Sequence, residues 1–242
     1  IPVIRILKEG LIGNKISKIY GILNGTSNYI LSNMEKIKMD FETVLKKAKE
    51  LGYAESNPKS DLNGEDVKSK IQILSSLAFN CFINKSKINL EGINNVDQID
   101  IKNARILGYK IKHLGVAELE NGKLIQGVYP CLVKKESHIS NVNDVLNAII
   151  IEGKPIGKLV IQGEGAGPGP TVSALVSDIC SILRGNINFP FSASQANRKK
   201  ITSLDLSNKI FSSYIRLDVL DKKGVLSSIT KIMSKNQISV KR

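Results

Sequence analysis

Four side chains within residues 52–70 (GYAESNPKSDLNGEDVKSK) have the types and spacing for chemistry on a small zwitterion: Glu55, Asp61, Asp66 and Lys70. Asp66 and Lys70 stand four apart, the separation that places two side chains on one face of a helix. Val67, Ile71, Leu74 and Ala78 form an apolar stripe beside them, which would pin that helix to a core. Carboxylates converging from the preceding loop suit an amino group, and a lysine ammonium suits a developing oxyanion. Spacing alone does not make a site, because a solvated acid–lysine pair four apart contributes only about 0.3–0.5 kcal/mol and is the commoner use of the pattern.

The elements that must hold these residues can be read on either side. Residues 15–23 alternate loosely and predict a strand running into a Gly25–Thr26 turn. Thr26 or Ser27 can cap a helix reaching about residue 36. Asp40 is placed to cap a second helix over 41–51, with Gly52 as its stop. The acidic loop then leads into a helix over about 65–79, and residues 101–108 predict a further short one. Beyond these the character changes. Segments 110–119 and 124–133 are strand-like and flank Asn121-Gly122, a strong hairpin signal. Segments 147–151 and 157–161 form a second pair around Glu152-Gly153-Lys154. The expected class is α+β, with a mixed, largely antiparallel sheet covered by helices.

Composition narrows the function classes. The chain has 242 residues, a net charge of +13 and 42% hydrophobic content, enough for one sizeable domain and a fragment or for two small domains. No apolar run approaches a membrane span, and the opening IPVIRILKEG has neither Met nor the makeup of a signal peptide. Cys81, Cys131 and Cys180 are isolated, which fits reduced thiols in the cytoplasm. The positive charge is mostly lysine spread along the chain, with 5% aromatic residues and no Trp, so it is not a nucleic-acid stripe. Only Arg198, Lys199 and Lys200 cluster, inside a polar stretch over 193–208 that reads as a linker. No metal spacing is present, and His113 and His138 receive no role. The glycines at 163, 165 and 167 lack the G-x-G-x-x-G spacing and a following strand with an acidic end, so they are not a dinucleotide fingerprint.

The run over 52–70 resembles the substrate-binding signature of the homoserine dehydrogenases: a Gly-Tyr-Ala-Glu turn, then Pro, Asp, Gly, Asp and Lys at these intervals. Residues 21–31 (GILNGTSNYIL) resemble that family's Gly-Thr segment, and 163–178 (GEGAGPGPTVSALVSD) its late glycine loop and helix. The resemblance covers residues 1–205 and implies the family's catalytic and dimerisation domain without its N-terminal Rossmann domain. Residues 214–240 resemble the first half of an amino-acid-binding ACT domain, with Lys223-Gly224 where Pro-Gly is usual. The expected division is therefore 1–205 and 206–242.

The resemblance implies reversible reduction of aspartate 4-semialdehyde to L-homoserine with NAD(P)H. It makes Lys70 the proton donor and Asp66 its catalytic partner. Glu55, Asp61 and Asp66 would bind substrate, with Gly25, Thr26 and Tyr53 as pocket wall. Gly52, Glu55, Gly165 and Gly167 would lie near the cofactor. Val172, Leu175, Val176 and Ile179 would form an apolar face toward the nucleotide domain. A monovalent-cation site would lie upstream of Ile1. A homodimer, an amino-acid effector at the ACT-like unit and an inactive isolated fragment are further implications. Ser56-Asn57 stands where the family more often has Ala-Asp, removing one negative charge beside the site. The competing readings are an amino-acid-binding regulatory module without catalysis and, resting only on charge, a nucleic-acid binder.

Overall fold

In the computed structural model, which describes residues 1–83, 88–186, 190–191, 193–204 and 212–240, the alternating segment at the start of the chain becomes an interior strand. A short helix α1 (Val3–Arg5), continued by a π-turn at Ile6–Gly10, precedes β1 (Lys15–Ile22). Helices α2 (Gly25–Ile37), α3 (Phe41–Glu50), α4 (Lys59–Leu62) and α5 (Glu65–Ala78) follow. Next come β2 (Asn89–Leu90), α6 (Gln98–Ile106), β3 (Tyr109–Glu120), β4 (Lys123–Lys134), β5 (Leu146–Lys154), β6 (Gly157–Glu164) and α7 (Pro168–Leu183). The last element is α8 (Val225–Lys235).

The six strands form one sheet in the order β2-β4-β3-β1-β5-β6. Every neighbouring pair is antiparallel except β2 with β4. The class is thus α+β with a mixed sheet, as the strand and helix patterns predict. The β3–β4 hairpin turns at Asn121-Gly122, both at positive φ (49° and 76°), as a two-residue turn between twisted strands requires.

One face of the sheet carries α5. Val67, Ile71, Leu74 and Leu77 are buried against Ile19, Ala117, Leu124, Val128, Ile149 and Ile151. Full burial of a side chain such as Ile71 contributes about 1.5–3 kcal/mol, so the stripe read from sequence fixes the helix that carries Asp66 and Lys70. A second cluster joins Ile30 and Met34 of α2 to Val44 and Ala48 of α3 and to Leu62 of α4. A third lies on the opposite side of the sheet, with Ile22, Leu114, Ala148 and Ile150.

Several local expectations change. The cap of α2 is Asn24, whose side chain accepts from the Ser27 N–H at 2.8 Å, not Thr26 or Ser27. Helix α6 starts at Gln98, earlier than expected, because Asp97 and Asp100 form a capping box. The second hairpin turns at Pro155-Ile156, since Gly153 is already paired with Gly157. Within the stretch read as a linker, Arg198–Leu204 is docked; residues 205–208 lie outside the described residues. The Arg198 guanidinium stacks 4.8 Å from the Phe82 ring and 4.2 Å from that of Phe191. It also donates to Ser76 Oγ and the Cys81 carbonyl, and the backbone of Lys199 pairs with Asn80 and Phe82.

The chain divides into two compact units, Ile1–Lys209 and Ile210–Arg242. In the second, α8 follows Gly224, which takes φ 89°. The extended segments on either side of α8 join no ladder among the described residues.

Lys112 of β3 is 1% exposed. Its Nζ donates to the Val142 carbonyl at 2.6 Å, Asn143 Oδ1 at 3.2 Å and Asn28 Oδ1 at 3.3 Å. Burial, with the Lys110 charge adding to it, brings its pKa from 10.5 down to about 8. The unfolded chain keeps this proton up to its ordinary pKa, so between the two values it holds more protons than the folded one. Stability should therefore rise with pH between about 8 and 10, by on the order of 3 kcal/mol from this group. Above about pH 9 Cys131 acts in the opposite sense, its pKa being pushed up to about 11 chiefly by burial, with Cys81 raised likewise. Above about 10 Tyr20 adds to this, its pKa being pushed up to about 12 chiefly by burial. Urea midpoints measured between about pH 8 and 9, below the thiols, should climb in the wild type and stay flatter in Lys112→Met. A wild-type midpoint that falls there would contradict the account.

Candidate active site

The site is built where β1 ends, α2 begins and α5 passes beneath both. Helix α5 starts after Gly64, and its buried stripe turns Asp66 and Lys70 to the other side. Lys70 Nζ donates to Asp66 Oδ2 at 2.7 Å and to the Leu23 carbonyl at 3.1 Å. An ammonium has three donors, so one remains uncommitted among the described residues. The Lys70 side chain is 48% exposed and that of Asp66 27%, which leaves the pair open to a ligand.

Asp61 reaches the same place from α4. Asn24 joins the two carboxylates: its Nδ2 donates to Asp61 Oδ1 at 2.8 Å and to Asp66 Oδ2 at 2.9 Å. Ser27 Oγ donates to the Asp61 carbonyl at 2.9 Å, tying α4 to α2. Thr26 Oγ1 donates to the Tyr53 carbonyl at 2.7 Å, and the Tyr53 ring lies 5.0 Å from that of Tyr29. Gly25 is the first residue of α2. Asp61, Asp66 and Lys70 therefore lie in one hydrogen-bonded constellation through Asn24 and the Leu23 carbonyl. Gly25 and Thr26 follow Asn24 in the chain, and Thr26 bonds Tyr53 and not the constellation. Glu55 and Gly52 are exposed on the loop after α3, and Glu55 has no hydrogen bond or ion pair among the described residues.

A cavity of about 180 Å³ opens beside Lys70, lined by Leu23, Ile73, Leu74, Ile149, Asn147 and Gly165 among others. The late glycine loop thus meets the lysine through Gly165. Gly167 does not line the cavity; it precedes α7 at φ 108°. Helix α7 is held by Arg5, whose guanidinium donates to Ser177 Oγ at 2.8 Å and Asp178 Oδ1 at 2.7 Å. Its residues Val172, Leu175, Val176 and Ile179 are all more than half exposed.

A larger cavity of about 310 Å³ lies elsewhere, among Ser32, Glu35, Lys36, Arg105, Lys110, Asn143 and Asp144. It touches none of the bonded constellation, and its mixed ionic rim is that of a solvated groove. His113 is buried, with Nε2 3.0 Å from the Glu91 carbonyl, and burial pushes its pKa down. Among the described residues no group of three or more His, Cys, Asp or Glu could hold a metal. Nor is any helix long and apolar enough to cross a membrane.

Two contributors escaped the sequence reading, Asn24 and the Leu23 carbonyl. Asn24 is detectable in principle, because a capping amide uses only its oxygen on the helix and leaves two N–H groups to face something.

These features define an α+β domain whose site pairs a half-exposed lysine with two bridged carboxylates beside a small apolar cavity. The family model described as homoserine dehydrogenase matches residues 2–180. Over 240 residues the chain is 40% identical to homoserine dehydrogenase of Helicobacter pylori, covering 99% of this chain and 56% of that protein. It is 44% identical over 187 residues to that of Synechocystis, covering 76% of this chain and 43% of that protein. The crystal structure of a homoserine dehydrogenase from Thiobacillus denitrificans superposes with a TM-score of 0.88 at 33% identity, over 100% of this chain and 57% of that one. The S. aureus enzyme at pH 6.5 gives a TM-score of 0.68 at 43% identity, over 72% of this chain and 44% of that one. The chain belongs to the homoserine dehydrogenase family, an oxidoreductase family, and spans about half the length of the curated relatives it matches.

Proposed function

We propose that this chain is the catalytic and dimerisation portion of an enzyme that reversibly reduces aspartate 4-semialdehyde to L-homoserine with NAD(P)H, on the way to threonine, methionine and isoleucine. The observation that carries this is Lys70, which lines the cavity with one N–H uncommitted while Asp66 and the Leu23 carbonyl fix the other two. An aldehyde oxygen that gains negative charge as it is reduced would be stabilised by that N–H and take its proton. Asp61 and Asp66 would receive the substrate ammonium, and Glu55 would join them from the exposed loop. Gly25, Thr26 and Tyr53 would wall the pocket.

The nicotinamide cofactor supplies hydride to the aldehyde carbon when bound. The cavity at Lys70 and Gly165 is about 180 Å³, below the roughly 300–1,000 Å³ of pockets that enclose whole ligands. It fits the reactive end of a dinucleotide and not the rest. In this reading Gly52, Glu55, Gly165 and Gly167 lie near that end, and the exposed face of α7 is covered by the nucleotide domain. The monovalent cation would be held upstream of Ile1, and the isolated chain would not turn over. Half-buried Tyr20, Val116, Cys131 and Val133, packed on the third core cluster, suit a homodimer interface. The second unit would bind an amino-acid effector, and the enzyme would work in the cytoplasm.

The test is NADPH oxidation by the full-length protein with aspartate 4-semialdehyde. Turnover dependent on both compounds is expected. A well-folded dimer that oxidises no NADPH, but binds free amino acids, would overturn the reading in favour of a regulatory module.

A further inference from the structure

We infer that Asn24 is a positioning residue of the reaction, one that sets the geometry of Asp61, Asp66 and, through Asp66, Lys70; this rests on the function proposed above. Asn24 is 6% exposed, and its amide is fully engaged. Oδ1 accepts from the Ser27 N–H at 2.8 Å, while Nδ2 splits its protons between Asp61 Oδ1 at 2.8 Å and Asp66 Oδ2 at 2.9 Å. The same Asp66 Oδ2 accepts from Lys70 Nζ at 2.7 Å. One carboxylate oxygen is thus shared by the lysine and the asparagine, and the lysine is bonded in addition to the carbonyl of Leu23, the residue before Asn24. Two carboxylates brought together repel and favour protonation of one. A neutral donor bridging them offsets that repulsion without adding charge and fixes both carboxylates for a substrate ammonium. Asparagine does this and aspartate cannot, because aspartate would bring a third negative group and no N–H.

Capping and positioning can be separated by substitution. Serine and aspartate cap helices about as well as asparagine. If Asn24 only caps α2, Asn24→Ser and Asn24→Asp leave the enzyme near its wild-type rate. If it positions the site, Asn24→Ser removes the bridge and lowers kcat/KM for the aldehyde by about tenfold to a hundredfold. KM for NADPH should stay within about twofold, since the bridge does not touch the small cavity that takes only its reactive end. The groups around residue 24 are Asp61 from α4 and Asp66 with Lys70 from α5. Asn24→Asp places a third carboxylate among them, where like charges repel and proton binding is favoured, so the acidic limb of its pH–rate profile moves to higher pH.

The experiment measures full-length wild type and both variants, with pH–rate profiles and thermal midpoints. Loss of kcat/KM in Asn24→Ser, an acidic limb shifted up in Asn24→Asp, and midpoints within a few degrees of wild type are expected. Two cap-competent variants with wild-type kinetics would overturn the inference and leave the functional reading standing. So would a fall of more than about 10 °C in both midpoints, a shift of that size meaning more than 1 kcal/mol of stability and hence a structural role. A wild-type enzyme without NADPH oxidation would remove the functional reading and this inference together.

Discussion

Lys70→Ala in the full-length enzyme should lower kcat by about two to four orders of magnitude, the range seen for loss of a proton donor that also stabilises an oxyanion. The fold should survive. The Lys70 side chain is 48% exposed and its ion pair with Asp66 is not enclosed, so the loss in stability is about 1 kcal/mol or less after solvent screening. Lys70→Arg sharpens the test. Arginine keeps the charge beside Asp66, but its guanidinium does not release a proton in a protein and presents a planar fork. Substrate binding should be largely retained in Lys70→Arg while turnover stays low. The measurements are steady-state kinetics with circular dichroism and thermal unfolding. Full activity in a folded Lys70→Ala variant would reduce the acidic–lysine cluster to a surface pair.

Gly21→Ala should destabilise the protein by about 4 kcal/mol or more, in the exceptional range for one substitution. A Cβ on Gly21 would stand 2.1 Å from the Ala148 carbonyl oxygen and 2.9 Å from the Ile149 Cα. Both are backbone atoms of β5, so neither can step aside as a side chain would. Relief requires opening the β1–β5 ladder, in which Gly21 pairs with Ile149 and Ile22 with Ala148. Leu23 and Asn24 follow directly, so the same opening should cost activity in whatever fraction stays folded. Gly13→Ala is the control: nothing lies within 4 Å of its added Cβ, and a shift within about 0.5 kcal/mol is expected. Equal urea midpoints for the two variants would defeat the argument.

Where a signal was local, the sequence carried it. The Asn121-Gly122 turn, the Asp40 cap and the apolar stripe on α5 each follow from residues within one element. The position of Asp66 and Lys70 on one helix face is legible for the same reason. What escaped is non-local. Asn24 owes its importance to carboxylates some forty residues on, which capping rules do not address. The Leu23 carbonyl matters only because α5 passes beneath it, and no residue type announces a carbonyl. Polar composition made 193–208 a linker, yet Arg198 finds Phe82 and Phe191, a cation–π anchor that no periodicity reveals. Strand patterns gave five of the long segments but not their order in the sheet.

That order bears on how the site comes into being during synthesis. The interior strand β1 precedes its partners in the chain, so Lys18 must wait for Glu118, and Ile19 for Ile151, before either of its edges is paired. The two hairpins, β3–β4 and β5–β6, join near neighbours and close with little loop entropy. Insertion of β1 between them is the long-range step, and it carries Leu23 and Asn24 into register over α5. The chemistry-bearing end of the strand is therefore among the last parts of this unit to be made native. Until then β1 has two unpaired edges, the backbone arrangement most open to wrong pairing.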